Sequence, residues 1–220
     1  MGNAEERGTT AVVLAAGAGT RLGRGPKALL PYRGRPLVEA VAEALLDGGC
    51  REVVVVLGAG AAGVTAVANL SRFRTAVNQE WQSGMGSSFL LGNASADPGN
   101  HLMIALVDQP GLTARTVRRL LAAHRPGRIT AAAYFQREGG SAGAQAKGDG
   151  TVRRGHPLLI DASLRKAVSD TATGDAGARR FLQDHPGLVD EVDCSDESTG
   201  QDVDTPDQLY LLDWPPPGPS

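Results

Sequence analysis

The sequence is short of several things, and each shortage excludes something. Its 220 residues hold two cysteines, Cys50 and Cys194. Their spacing fits neither a zinc ribbon nor a CxxC redox motif, and two are too few for a disulfide framework. They read as reduced structural thiols of a cytoplasmic protein. Aromatic residues make up 4% of the chain and the net charge is −2. No basic surface for nucleic acid and no polybasic membrane patch is therefore expected. No apolar run is long enough to cross a bilayer, and the start, Met1 to Glu6, lacks the apolar core of a signal peptide. What is plentiful is glycine, with 29 residues.

Apolar runs alternate with helical spacing along the first 135 residues. Thr10–Ala15, Glu52–Leu57, Arg74–Val77, Leu102–Val107 and Ile129–Phe135 read as strands, several apolar enough to be buried on both faces. Between them Leu37–Leu46, Ala61–Asn69, Met85–Asn93 and Thr113–His124 carry helical patterns, with Thr113 as an N-cap. This order predicts an α/β, Rossmann-like three-layer domain with a mostly parallel sheet. The second half is less regular. Gly139–Gly150 reads as a mobile loop with a hairpin turn at Asp149-Gly150, giving a small β-hairpin excursion that ends in a short strand, Leu158–Ile160. Helices follow at Ala162–Ser169 and Gly177–Asp184, a strand at Leu188–Asp193, and a last helix from Thr205-Pro206. The reading places a flexible terminus at 1–9, one domain at 10–213 and a proline-rich tail at 214–220.

The most informative segment runs from Leu14 to Gly23: Leu14-Ala15-Ala16-Gly17-Ala18-Gly19-Thr20-Arg21-Leu22-Gly23, with Pro26-Lys27 close behind. A buried strand that ends in small residues lets backbone approach a bulky ligand, and its N–H groups can face phosphate oxygens. Arg21 and Lys27 add positive charge at the same place. The segment is not a P-loop, because no Gly-Lys-Ser/Thr stands at the required offset. It is not a dinucleotide fingerprint either, since Gly17-x-Gly19-x-x-x-Gly23 is one residue too long, which argues against an NAD-dependent dehydrogenase. Asp108 follows the strand Leu102–Val107, where ligands of open α/β sheets gather. With Asp204 as the second candidate, two carboxylates could hold Mg²⁺ on a phosphate. Asp202 is read as a neighbour rather than a ligand.

The LAAGxGxRxG run followed by PKALLPYRGRPL resembles the MobA-like nucleotidyltransferase family, nearest its molybdenum cofactor cytidylyltransferase branch. The resemblance covers about residues 10–212 and implies the nucleotide-diphospho-sugar transferase-like fold. It implies that Leu14–Gly23 wraps the NTP phosphates, that Arg21 and Lys27 contact them, and that Asp108 and Asp204 bind the metal. Ala15-Ala16-Gly17 resembles the CTP-using members, whereas GTP users more often carry Ala-Gly-Gly. Three further segments match on the acceptor side. They are Asn78–Ser88 with Ser87 and Ser88, Arg154-Gly155-His156-Pro157, and Gly174-Asp175-Ala176-Gly177-Ala178-Arg179. Ser87, Ser88, Arg154, His156, Asp175 and Arg179 are thereby implicated in binding the acceptor, against plainer roles as helix caps and structural side chains. The implied reaction moves CMP from CTP to the phosphate of a molybdopterin that bears molybdenum, with release of pyrophosphate and transient contact with a molybdenum hydroxylase. Transfer from GTP, transfer to another phosphorylated metabolite, and a non-catalytic cofactor carrier are the alternatives. Arg137–Val152 departs from the family pattern in being longer and richer in glycine.

Overall fold

A computed structural model describes residues 7–136 and 151–213. The first strand, β1 (Thr9–Ala15), is wholly buried. It lies between two parallel neighbours, β4 (Glu52–Leu57) and β6 (His101–Leu106). Beyond β4 lies β5 (Arg74–Val77), also parallel. On the other side β6 pairs antiparallel with β8 (Thr151–Ile160), β8 pairs antiparallel with β7 (Ile129–Gln136), and β7 pairs parallel with β9 (Val189–Asp193). The seven-stranded order is β5-β4-β1-β6-β8-β7-β9, with β8 the one reversed strand. A two-stranded ribbon of β2 (Pro31–Tyr32) and β3 (Arg35–Pro36) stands apart.

Because side chains alternate across a strand, each strand feeds two cores. Ala11, Val13 and Ala15 face one layer, where they pack with Leu37, Val41 and Leu45 of α1 (Leu37–Asp47) and Val117 and Leu120 of α4 (Ala114–Ala123). Val12 and Leu14 face the other layer. There they meet Phe89 of α3 (Met85–Ser95), Val168 of α5 (Arg165–Thr171) and Phe181 of α6 (Arg179–Asp184). A short helix, α2 (Ala61–Val67), joins the first layer through Val64. The sheet sandwiched by helices is the expected three-layer α/β architecture.

Most elements lie within a residue or two of their expected bounds, and Thr113 caps α4 by accepting from the Thr116 N–H at 3.1 Å. The differences have identifiable causes. β1 opens at Thr9, one residue before the expected domain boundary. β8 is not the short strand Leu158–Ile160 but ten residues, Thr151–Ile160. Its first half carries Arg153, Arg154, Gly155 and His156, so no apolar run announces it, and pairing with β7 defines it instead. The β7–β8 hairpin is therefore part of the main sheet. The expected helix Ala162–Ser169 divides into a 3-10 turn, Ala162–Leu164, capped by Asp161 through the Ser163 N–H, and α5. The expected helix Gly177–Asp184 begins at Arg179, since Gly177 is at φ 47°. The last helix, Pro206–Asp213, is 3-10, with the Gln208 side chain accepting from the Asp204 and Thr205 N–H groups. The termini at 1–6 and 214–220, and the loop and turn expected within 139–150, lie outside the described residues.

Candidate functional site

The cradle forms where β1 stops. After Ala15 the chain enters a loop with Gly19 in the left-handed region at φ 65°, and the Leu22 and Gly23 N–H groups both donate back to the Gly19 carbonyl. A Cβ at Gly19 would stand 2.2 Å from the Gly25 carbonyl oxygen, so no larger residue fits this turn without movement. Among the described residues the backbone N–H groups of Gly17, Ala18, Gly19, Thr20 and Arg21 have no protein acceptor. Clustered free donors of this kind form an anion-binding concavity.

Lys27 opens a 3-10 turn, Lys27–Leu29, that brings its side chain back under the loop. Its ammonium donates to Asp108 Oδ2 at 2.7 Å and to Asp204 Oδ1. Burial alone would lower the lysine pKa, but the two carboxylates outweigh burial and hold it above its ordinary value. The hydrogen bond from Lys27 chiefly holds the Asp204 carboxyl below its ordinary value. Arg21, mostly exposed, reaches Asp204 Oδ2 at 3.6 Å. Asp108 comes from the end of β6, and the Val203 N–H donates to its carbonyl at 2.9 Å, which ties the Asp204 segment to it. Asp108 Oδ1 is buried without a hydrogen-bond partner among the described residues. A bare carboxylate oxygen beside a second carboxylate suits a hard divalent cation, which Asp108 and Asp204 could hold.

Cradle and carboxylates share one cleft of about 1060 Å³. Leu14, Ala16, Gly17, Gly19, Thr20, Arg21, Lys27, Asp108 and Asp204 line it, and so do Ser88, Arg154, His156, Asp175 and Arg179. Two of the residues singled out from sequence do not. Ala15 points into the core beneath β1. Ser87 lies off the cleft, accepting from Asn78 Nδ2 at 2.8 Å and donating to the Gly84 carbonyl. Ser88 is buried and accepts from the same Asn78 amide at 2.9 Å, so Asn78 orients both serines. Asp175 does not cap the helix after it, because Ala178 holds that position. It accepts instead from the Met85 N–H, at the start of α3, at 3.4 Å. Burial and then Arg179 push the His156 imidazole down to about 4, so it enters the cleft neutral at pH 7. Arg154 shares its charge with Glu191 at 3.6 Å.

Sequence reasoning missed other members of the wall. Trp81, Met85, Tyr134 and Arg153 line the cleft, and Gln109 joins it to Asp202 through a 2.7 Å hydrogen bond. Burial, then the neighbouring Asp108, raises the Asp202 pKa. The signal for Gln109 lay in its place directly after Asp108. Tyr134 had none, since it reads simply as a residue of the strand β7.

Residues 11–189 match the family model described as the MobA-like NTP transferase domain. A relative from Paenarthrobacter nicotinovorans, named nicotine blue oxidoreductase, is 59% identical over 212 residues, which is 96% of this chain and all of that protein. A solved nucleotidyl transferase from Methanothermobacter thermautotroptrophicus superposes with a TM-score of 0.72 at 25% identity, covering 96% of this chain and 95% of the other. Rv0371c of Mycobacterium tuberculosis H37Rv, solved in complex with manganese, gives 0.72 at 25% identity over 93% and 97%.

Proposed function

Since the chain belongs to the MobA-like NTP transferase family, we propose that it moves a nucleoside monophosphate from an NTP to a phosphorylated acceptor, with CTP and molybdopterin as its substrates. The observation that carries this is Lys27 held between Asp108 and Asp204 at the mouth of the cradle. The free N–H groups from Gly17 to Arg21 bind the triphosphate, and Arg21 screens its outer charge. Lys27 exchanges its carboxylates for phosphate oxygens when the nucleotide enters. Asp108 and Asp204 hold Mg²⁺, which when bound supplies charge neutralisation at the phosphates. Arg179 and Arg154 attract the acceptor phosphate, and neutral His156 positions it by hydrogen bonding. An acceptor phosphate oxygen attacks the α-phosphorus as the bond to the β-phosphate oxygen breaks, and pyrophosphate leaves. The acceptor is already ionised at pH 7, so positioning and charge carry the catalysis without a general base. A protein doing this work belongs in the cytoplasm, and contact with a molybdenum hydroxylase would deliver the product.

The 59% relative favours a second reading, in which the same cleft serves a redox reaction. There the cradle takes the pyrophosphate of a nicotinamide dinucleotide, and the aromatic wall of Trp81 and Tyr134 takes a reducible ring. Two assays separate the readings. Pyrophosphate release is measured with each of the four NTPs, Mg²⁺ and molybdopterin. Oxidation of NADH and NADPH is followed with a reducible dye. Transfer predicts pyrophosphate with CTP and no dye-dependent oxidation; the reverse pattern overturns it.

A further inference from the structure

Away from the cleft, three ligating side chains converge. His101 opens β6, His124 ends α4, and Asp161 follows β8, where it faces the start of β6 across the antiparallel pair Leu102↔Ile160. Asp108 lies seven residues along the chain from His101, roughly 20 Å of extended backbone, so this cluster and the cleft occupy opposite ends of the sheet. His101 Nδ1 is 3.3 Å from Asp161 Oδ2, and His124 Nε2 is 3.6 Å from the same oxygen. The ligand atoms of all three lie within 4.8 Å of one another.

The convergence is electrostatically unfinished. His124 is 9% exposed, and its Nε2 is buried without a hydrogen-bond partner among the described residues. Its other nitrogen, Nδ1, is 2.9 Å from Thr130 Oγ1. With the proton on Nδ1, donated to that hydroxyl, Nε2 presents a bare lone pair to Asp161. His101 Nδ1 accepts from the Ala162 N–H at 3.1 Å, so it carries a lone pair rather than a proton, and it lies 3.3 Å from Asp161 Oδ2. Burial, before any other influence, lowers the pKa of both imidazoles, which keeps them neutral, as ligands must be. Asp161 is anchored on its far oxygen, where Oδ1 accepts from the Ser163 N–H at 2.9 Å and the Ser163 hydroxyl at 2.6 Å. In that tautomer the His124 Nε2 lone pair faces Asp161 Oδ2, and His101 Nδ1 approaches the same oxygen.

We propose that His101, His124 and Asp161 form a second metal site that takes a divalent transition ion of the zinc class. Two imidazoles and a carboxylate are the donors that Zn²⁺ favours, and a water completes the tetrahedron. In such a site bonds of about 2.0–2.1 Å set neighbouring donors roughly 3.3–3.4 Å apart; the two histidine–aspartate separations are 3.3 and 3.6 Å, and the three ligand atoms, within 4.8 Å of one another, draw together when the ion binds. Thr130 and Ser163 are the outer partners that fix the His124 tautomer and the carboxylate direction. The competing contact, Ala162 N–H to His101, is a single neutral hydrogen bond, weak beside three bonds to a dication. The ion would pin β6, the end of α4 and the end of β8 together, a structural role separate from catalysis.

Cobalt reports the geometry. The full chain, stripped with chelator, is titrated with Co²⁺, and the expected result is one equivalent giving the intense visible bands of a tetrahedral site, displaced by Zn²⁺. The bands persist in the Asp108→Asn/Asp204→Asn double variant and vanish in His124→Gln. Thr130→Val weakens Zn²⁺ binding by roughly 10–100-fold, the usual cost of losing an outer partner. Should His124→Gln fail to fold, long-range imidazole NMR of the native chain decides: Zn²⁺ must shift two of the four histidines and leave His156 and His185 in place. Absence of tetrahedral bands in the native chain, their loss in the double aspartate variant, or shifts confined to other histidines overturns the proposal.

Discussion

Lys27 is held by two carboxylates from distant parts of the chain, 81 and 177 residues away. Its ammonium is therefore held at the mouth of the cradle before any nucleotide arrives, and in the transfer reading it passes from the carboxylates to the phosphates as they bind. Removing a single group that stabilises developing charge costs on the order of 10²–10³ in kcat. Lys27→Ala is expected to lose at least that much, and Asp108→Ala to abolish turnover, both read as pyrophosphate release. Near-native rates in either variant would remove the basis of the transfer reading. Lys27→Arg should not restore the rate, because a planar fork cannot replace a point charge between two converging carboxylates.

At the scale of an element, the cradle is a turn whose shape depends on Gly19. With φ at 65° and a carbonyl 2.2 Å from where a Cβ would stand, Gly19→Ala carries both backbone strain and a clash. A left-handed alanine alone costs roughly 1–2 kcal/mol. The expected outcome is a lower Tm and at least a tenfold loss of nucleotide affinity by calorimetry, while the helices keep their circular dichroism. α4 offers a control away from the cleft. Thr113 caps it and also reaches Glu197 Oε2 at 3.2 Å. Thr113→Ala should cost about 1 kcal/mol, lowering Tm by roughly 2–4 °C for a domain of this size and leaving nucleotide binding unchanged.

For the whole molecule, the edge strand β9 is a place where acid acts. Asp190 on β9 accepts from Arg125 at 2.7 and 3.1 Å and from Arg128 at 2.5 and 3.0 Å, both arginines lying in the turn that leads into β7. The hydrogen bonds from Arg128, then those from Arg125, hold its carboxyl far below the usual carboxylate range. A folded-state pKa below the unfolded value of about 3.9 gives stability that is complete above roughly pH 5 and fades as pH falls toward the folded value. Asp190→Asn should thus lower Tm near neutrality and flatten its dependence between pH 5 and pH 2. An unchanged acid limb in thermal melts would contradict this.

Much of this molecule was legible in one dimension. The four valines of β4 and the apolar runs of β1 and β6 can only be buried strands. The glycine spacing after β1 rules out two common phosphate loops, and the Lys27 and Asp108 motifs mark the cleft. These features are local: hydrophobic period, turn chemistry and short-range spacing dictate them whatever the rest of the chain does. The polar first half of β8, the 3-10 form of the last helix, the engagement of Ser87 and Ser88 by Asn78, and Tyr134 in the cleft wall depend on partners far away in sequence. So does the meeting of His101, His124 and Asp161. Each is decided by which strand pairs with which, and that pairing is settled by burial summed over the whole sheet, a quantity no single stretch of residues contains.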